Sequence, residues 1–198
     1  TAITAAELSA IGGATTGTVT VTNAVAITGS TAQVTAALVT AGTLVEVTDA
    51  AVTINDTPTI GELNAIAAKT TGVVTATLAA NSLANLEALT TASTDAITIT
   101  VNDADGTAVT AANLSALGGK TAGTVTVTNA VAITGDHDQL TAALVTEGTK
   151  VEVSDATATV NDADGVAITA AELSAIGGAT TGTVTVTNAV AITGDHDQ

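Results

Sequence analysis

Pairs of carboxylates recur at fixed places along this sequence. The segment Asp103-Ala104-Asp105-Gly106 returns at 162–165, and Asp136-His137-Asp138 returns at 195–197. An Asp-x-Asp-Gly turn opens many calcium loops, because calcium prefers hard carboxylate oxygens as ligands. Asp and Gly also favour ordinary solvated turns, so both interpretations stay open. The candidate calcium ligands are Asp103, Asp105, Asp136, Asp138, Asp162, Asp164, Asp195 and Asp197.

The sequence has few residues that could form a zinc site or a catalytic site. The sequence has no Cys and two His, His137 and His196, which occupy equivalent turns 59 residues apart. Zinc and catalytic sites need more ligands or partners than this, so both His side chains are expected to be surface turn residues. No nucleophile elbow, H-E-x-x-H helix or phosphate-binding loop is present. We therefore predict that the protein is not an enzyme and has no catalytic residue.

The charge balance excludes two classes of partner. The sequence has three Lys residues and nineteen Asp and Glu residues, which gives a net charge of −16. Nucleic-acid binding requires clustered basic side chains, and an anionic membrane surface repels an acidic protein. Thr, Gly or Asp interrupts every apolar stretch before the roughly 18 residues that a membrane span requires, so membrane insertion is not expected either.

The elements that carry these turns are repeats. Residues 3–29 are identical to 168–194, and 109–135 is a close variant; we call these three the first-type repeats. The segments 33–56 and 139–165 resemble each other and are the second-type repeats. Two diverged repeats begin near Thr59 and Leu83, and a 59-residue unit relates the later copies. The sequence thus contains about seven repeats, which begin near residues 3, 31, 59, 83, 109, 139 and 168.

Each repeat has the same internal order. A short Ala-rich segment such as 4–11 has helical spacing, with Thr4 and Glu7 placed as a capping box, and Gly12-Gly13 is predicted to stop the helix. A run of alternating Thr and Val follows, which is typical of a half-buried strand. An Asn or Asp then marks a corner, either as a polar turn or as part of an internal ladder. The corner residues are Asn23, Asp49, Asn102, Asn129, Asp155 and Asn188.

This order predicts an α/β solenoid, either β-helix-like or resembling leucine-rich repeats. About seven coils would stack with a right-handed crossover, each contributing a short helix and one or two parallel strands. The aliphatic composition, with no Phe, Tyr, Trp, Met or Cys, fits the narrow core of such a stack. Residues 1–198 are expected to form a single repeat array. Neither end carries a capping sequence, so we expect either a segment of a longer array or a fibre that stacks end to end.

The repeats resemble those of giant secreted or cell-surface proteins of bacteria, including cyanobacteria. The likeness rests on T-A-A-E-L-S-A-I-G-G-A-T-T-G-T-V-T-V at 4–21 and Q-L-T-A-A-L-V at 139–145, and it extends over essentially the whole chain. It implies an extracellular location and a role in surface layers, adhesion, motility or sheath fibres. It carries no functional residues over to this chain.

The leading functional expectation is a structural extracellular protein that forms a filament, sheath or surface array by stacking coils end to end. Its partner would be itself, and a cell surface or polysaccharide is a further possible partner. A calcium-dependent adhesin stalk or binding module is the alternative, with calcium as the cofactor. Ice binding through ranks of Thr is a remote one, since Thr18, Thr20 and Thr22 recur in the other first-type repeats and Glu46 and Glu152 break the ranks.

Overall fold

The computed structural model describes residues 2–194 and has an α/β fold with parallel strands. A short helix lies near the start of each repeat, as the sequence predicts, but in the first-type repeats it follows a short strand that the sequence did not predict. Within the described residues there are seven helices, namely α1 (Ala5–Gly13), α2 (Thr31–Leu38), α3 (Ile60–Ala67), α4 (Leu83–Leu86), α5 (Ala111–Gly118), α6 (His137–Leu144) and α7 (Ala170–Gly178). Helices this short are not stable alone, so their packing against the strands must hold them.

The strands are also short and fall between the helices. The described part of the chain contains β1 (Ala2–Thr4), β2 (Val19–Val21), β3 (Ala26–Gly29), β4 (Val45–Val47), β5 (Ala51–Ile54), β6 (Val74–Thr77), β7 (Ala96–Val101), β8 (Ala108–Thr110), β9 (Val125–Val127), β10 (Ala132–Gly135), β11 (Glu152–Val153), β12 (Thr157–Val160), β13 (Ala167–Thr169), β14 (Val184–Val186) and β15 (Ala191–Thr193).

The chain divides into two compact units. The first contains the residues up to Ala79 together with 88–99 and 120–123; the second contains 80–87, 100–119 and the residues from Thr124 onward. In the first unit β1, β3, β5, β6 and β7 pair in that order, and β2 pairs with β4. In the second unit β8, β10, β12 and β14 pair in order, β9 pairs with β11, and β13 pairs with β15. All these pairings are parallel.

Each unit has a core of Ala, Val, Ile and Leu side chains. Equivalent aliphatic residues meet across the strand ladders, as Ile27 meets Val52 and Ile133 meets Ala158. Ile27, Val52 and Leu63 are fully buried in the first unit. Because successive side chains of a strand point to opposite faces, the Thr and Val alternation of β9 buries Val125 and Val127, as the sequence predicts.

A capping box begins most of the helices. The Glu7 backbone N–H donates to the Thr4 hydroxyl at 3.2 Å, and the Glu7 carboxylate accepts from the Thr4 hydroxyl at 2.7 Å and from its backbone N–H at 3.0 Å. These bonds lower the pKa of Glu7, with the side-chain bond as the largest cause. The capping box predicted for Thr4 and Glu7 is confirmed, and Thr169 and Glu172 form the same one.

The helices α1, α5 and α7 end at the glycine pairs, as the sequence predicts. Gly12 and Gly13 are the last two residues of α1, and both have negative φ. Their value lies in the absence of a side chain, because a Cβ on Gly12 would lie 2.3 Å from the backbone oxygen of Thr43. In the same way, a Cβ on Gly118 would lie 2.0 Å from the backbone oxygen of Thr149. The helix end and the following repeat therefore approach more closely than any side chain allows.

The equivalent glycine of the last repeat, Gly177, provides a matched comparison, because nothing lies within 4 Å of its added Cβ. We expect Gly118→Ala to destabilise the protein by about 1–3 kcal/mol through overpacking. We expect Gly177→Ala to stabilise it by about 0.5–1 kcal/mol, because alanine favours a helix over glycine. Urea unfolding of the two variants checks this pair. Equal effects at both positions would contradict the close approach.

Candidate functional site

The carboxylates of the first acidic turn accept hydrogen bonds from the start of their own repeat and from the repeat that follows. Asp103 Oδ2 accepts from the Leu83 backbone N–H at 2.7 Å. Asp105 Oδ1 accepts from the Ala130 backbone N–H at 3.0 Å. The two side chains thus bond to different segments, one earlier and one later in the chain. This turn therefore ties the helix start of its own repeat to the following repeat.

The second acidic turn repeats this arrangement and adds a histidine. Asp162 is 5% exposed, and its Oδ2 accepts from the His137 backbone N–H at 2.8 Å while its Oδ1 lies 2.7 Å from His137 Nδ1. Asp164 Oδ1 accepts from the Ala189 backbone N–H at 3.1 Å. The fold therefore brings Asp162 against the Asp136-His137-Asp138 segment, a proximity that the sequence alone did not reveal.

The two acidic residues that flank His137 have separate roles. Asp136 is the N-cap of α6 and accepts from the Gln139 backbone N–H at 2.8 Å. The Asp138 side chain is 87% exposed and lies 3.4 Å from His137 Nε2. The equivalent residues Asp195, His196 and Asp197 lie outside the described residues.

Three or more metal-ligating side chains do not gather anywhere within residues 2–194. Asp103, Asp105, Asp162 and Asp164 each accept a backbone N–H, which occupies oxygens that calcium would otherwise use. A hydrogen-bonded carboxylate retains further lone pairs. The calcium ligands predicted from the sequence therefore stay a prediction.

A clasp between a carboxylate and a helix start recurs in both second-type repeats. In the first unit Asp56 Oδ1 accepts from the Thr31 backbone N–H at 2.7 Å and from its hydroxyl at 2.5 Å. His137 and Asp162 form the same clasp in the second unit. Thr31 and His137 are the first residues of α2 and α6. The unsatisfied N–H groups at a helix start stabilise a negative charge such as the Asp carboxylate. Sequence reasoning missed Thr31 and Asp56, although both pairs are separated by 25 residues.

His137 is the titratable centre of its clasp. The hydrogen bond to Asp162 is the largest cause that raises the pKa of His137, and the charges of Asp162, Asp138 and Glu172 act in the same direction, whereas burial opposes them. Its side chain is 15% exposed. The expectation of a surface turn residue is therefore wrong for His137, which begins a helix and is held by a buried partner.

The corner residues lie between consecutive strands, where the sequence predicts them. They follow β2, β4, β7, β9, β11 and β14. The Asn129 side chain donates to the backbone oxygen of Asp103 at 2.7 Å, and Asn188 donates to that of Asp162 at 2.5 Å. These two amides therefore bond the backbone of the preceding repeat. Asn129 and Asn188 lie two repeats apart along the chain, and each donates to a backbone carbonyl group.

Asp95 is a buried carboxylate that sequence reasoning overlooked. It is 5% exposed, and its two oxygens accept from the backbone N–H groups of Val74 at 2.8 Å and Ala92 at 2.9 Å. Its backbone oxygen accepts from the Thr121 hydroxyl at 2.9 Å. The signal was available, because Asp95-Ala96 stands where Asp49-Ala50 and Asp155-Ala156 stand in other repeats.

Threonines in three repeats bond the backbone beside these Asp-Ala pairs. Thr70 Oγ1 donates to the Ala50 oxygen and Thr180 Oγ1 donates to the Ala156 oxygen, both at 2.6 Å. Thr121 does the same for Asp95. Two residues later a glycine, Gly72 or Gly182, leaves room for the carbonyl group. These threonines thus link successive repeats.

The clefts and exposed strand faces of the described residues are further candidate sites. The described clefts have volumes of about 150–300 Å³. The rank of exposed Thr on β2 stops at its neighbour, because Glu46 lies beside Thr20 in the ladder, and Glu152 lies beside Thr126. Among the described helices none is long and apolar enough to cross a membrane.

The His137 clasp predicts a pH dependence of stability. Because folding raises the pKa of His137 above its ordinary value of 6.5, its contribution is fully present below that value and is lost as pH rises through the folded pKa. We therefore expect the free energy of unfolding to fall as pH rises from about 5.5 to about 8.5. Urea titrations across this range measure the change.

His137→Thr is the matched control, since Thr31 makes the same clasp without a titrating ring. His196 is common to both proteins, so the difference between their pH profiles isolates His137. We expect the variant to lose much of the pH dependence. Identical pH profiles for the two proteins would contradict the clasp.

The calcium hypothesis predicts that chelation lowers the Tm. A ligand that binds only the folded state stabilises it by mass action, so EDTA should lower the Tm and added calcium should restore it. Asp138→Asn and Asp105→Asn should reduce the calcium effect, and Glu147→Gln, outside the acidic turns, is the control. A Tm that does not respond to EDTA or calcium would leave the carboxylates with the hydrogen-bonding role described above.

Comparison with known proteins gives no relative: no protein family, curated protein or solved structure matches the chain. The function must therefore be argued from the geometry of the repeats themselves.

Proposed function

We propose that the protein is a structural extracellular protein whose repeats are coils of a right-handed α/β solenoid, about seven in number. The coils stack end to end into a filament, sheath or surface array. The observation that carries the proposal is the recurrence of the same links between successive repeats. The threonine bonds to Ala50 and Ala156 join successive repeats with matching geometry, and the clasps of Asp56 and Asp162 tie the end of each second-type repeat to its helix start in the same way.

The strand ladders support the stacking. In the first unit β3 and β5 pair in parallel with Ala26 beside Ala51, and in the second unit β10 and β12 pair with Ala132 beside Thr157. Helices of successive repeats also pack against each other, as α1 does with α2 and α5 with α6. A repeat that contacts its neighbours through the same groups each time gives additive stability. Such an array can grow without a change in its internal contacts.

Composition and sequence resemblance support the extracellular and structural parts of the proposal. Several polar side chains hold successive repeats together, which suits a protein whose product is its own assembly. The net charge of −16 favours solubility of long arrays, since like charges repel adjacent filaments. The resemblance to giant bacterial surface proteins agrees with this role.

Electron microscopy and fibre diffraction of the native material test the proposal. We expect filaments or ordered sheets, with a reflection along the axis near 4.8 Å from strands that lie perpendicular to it. Material from the same preparation unfolded in guanidinium is the control and should lack the reflection. Dispersed monomers at every concentration would overturn the proposal.

A further inference from the structure

The identical repeats 3–29 and 168–194 have different neighbours. The first repeat precedes a second-type repeat, 33–56, in the first unit. The last repeat follows a second-type repeat, 139–165, in the second unit. We call the side of a repeat toward the next repeat its following side and the side toward the previous repeat its preceding side. The same sequence thus has its following side covered in the first unit and its preceding side covered in the second. Each copy shows what fits the side that the other leaves open.

The following side is covered in the first unit. There β2 pairs with β4 and β3 pairs with β5, so that both strands of the repeat have a partner. Ile27 is 0% exposed. Gly12 lies beneath the Thr43 carbonyl group, with no room for a Cβ. A second-type repeat thus buries this side through two strands and one helix end.

The same residues are open in the second unit. Ile192, the equivalent of Ile27, is 58% exposed. Nothing lies within 4 Å of an added Cβ on Gly177, the equivalent of Gly12. Within the described residues β14 pairs with β12 alone and β15 with β13 alone, so each has a free edge. We call Gly177, Ile192 and the free edges of β14 and β15 the following face.

The preceding side shows the reverse. In the second unit Ile176 is 0% exposed, the Thr181 backbone N–H donates to the Ser154 oxygen at 2.8 Å, and Thr180 donates to Ala156. In the first unit the equivalent Ile11 is 52% exposed. Thr15 and Thr16 make no such bonds to another repeat within the described residues. We call Ile11, Thr15, Thr16 and the free edge of β2 the preceding face.

We propose that both faces are docking sites for the same partner, a second-type repeat. On the following face it would place a Thr carbonyl over Gly177 and two strands against β14 and β15. On the preceding face it would offer the Ser-Asp-Ala carbonyl groups to Thr15 and Thr16. Within the described residues both second-type repeats already pair with a repeat on each side, so the occupant is a further second-type repeat. The inference deepens the proposed filament and rests on it for its biological meaning.

A first-type repeat does not suit the following face. The first-type repeat 168–194 pairs with the repeat that precedes it through β14 and β12, and β11 gains no partner from it. Placed on the following face, a first-type repeat would therefore leave the edge of β14 unpaired. It also carries a glycine two residues before its first strand, Gly17, where the second-type repeats carry Thr43 and Thr149. Free strand edges invite pairing, so the second-type repeat is the better occupant.

Extension of the chain tests the proposal with a matched control. Residues 194–198 read as 135–139 do, so a copy of 140–165 added after Gln198 completes a second-type repeat in 26 residues. The control extension is a copy of 4–29, also 26 residues long. We expect the second-type extension to slow amide hydrogen exchange in β14 and β15 by about tenfold or more, and the first-type extension to have a much smaller effect.

Gly177→Ala makes the test specific for the docking geometry. In the unextended chain this substitution removes no protection from β14 and β15, since the site is open, and its helix stabilisation slows exchange there by at most about fivefold. In the chain with the second-type extension it should remove most of the added protection, because its Cβ would meet the docked Thr carbonyl, as one on Gly12 or Gly118 would meet Thr43 or Thr149. Gly178→Ala, which is also open in the unextended chain, is the neighbouring control and should keep the protection.

Equal protection by the two extensions, or full protection that survives Gly177→Ala, would overturn the inference. These outcomes are distinguishable from failure of the filament proposal. Native material without filaments, combined with selective protection by the second-type extension, would reject the proposed function and retain the docking site. Native filaments without that protection would reject the docking site alone.

Discussion

The close approach of backbone to backbone is the constraint on which the rest of the structure depends. With only Ala, Val, Ile and Leu as apolar residues, each buried side chain removes little area from water. The repeats gain enough burial only if their strands and helix ends come very near to each other. Gly12, Gly118 and Gly182 permit this, because each lies where a Cβ would collide with a carbonyl group of another repeat.

Close approach creates a second requirement, since backbone polar groups at the junctions leave water. A buried N–H or C=O without a partner is costly. Strand ladders satisfy most of these groups, and side chains satisfy those at the bends and helix starts. Asp95, Asp162 and Thr121 supply the bonds at the most buried places. The acidic and hydroxyl residues, which on sequence grounds could be metal ligands or solvent-facing side chains, thus complete the backbone.

Much of the local structure could be predicted from the sequence. Alternation of Thr and Val gave the strands, Thr4 with Glu7 gave a capping box, and the Asx corners fell between strands. These features depend on neighbours within a few residues. The helix end at Gly12 was predicted but its close contact with Thr43 was not, because a helix-ending glycine and a close-contact glycine look alike until the opposing carbonyl is known. The partners of His137 and Asp56 were missed for the same reason, since their clasps join residues 25 positions apart.

The identity of residues 3–29 and 168–194 has a consequence for folding. During folding a second-type repeat can pack against either of two identical repeats, 3–29 and 168–194, so the contact residues alone do not determine which pairing forms. Repeat proteins are prone to such misassembly and domain swapping. The contact that forms between adjacent segments wins because its loop is short and closes at lower entropic cost. The diverged repeats near Thr59 and Leu83 lack equal counterparts elsewhere in the chain. Their contacts form in one register only, which disfavours mispairing of the repeats by a whole unit.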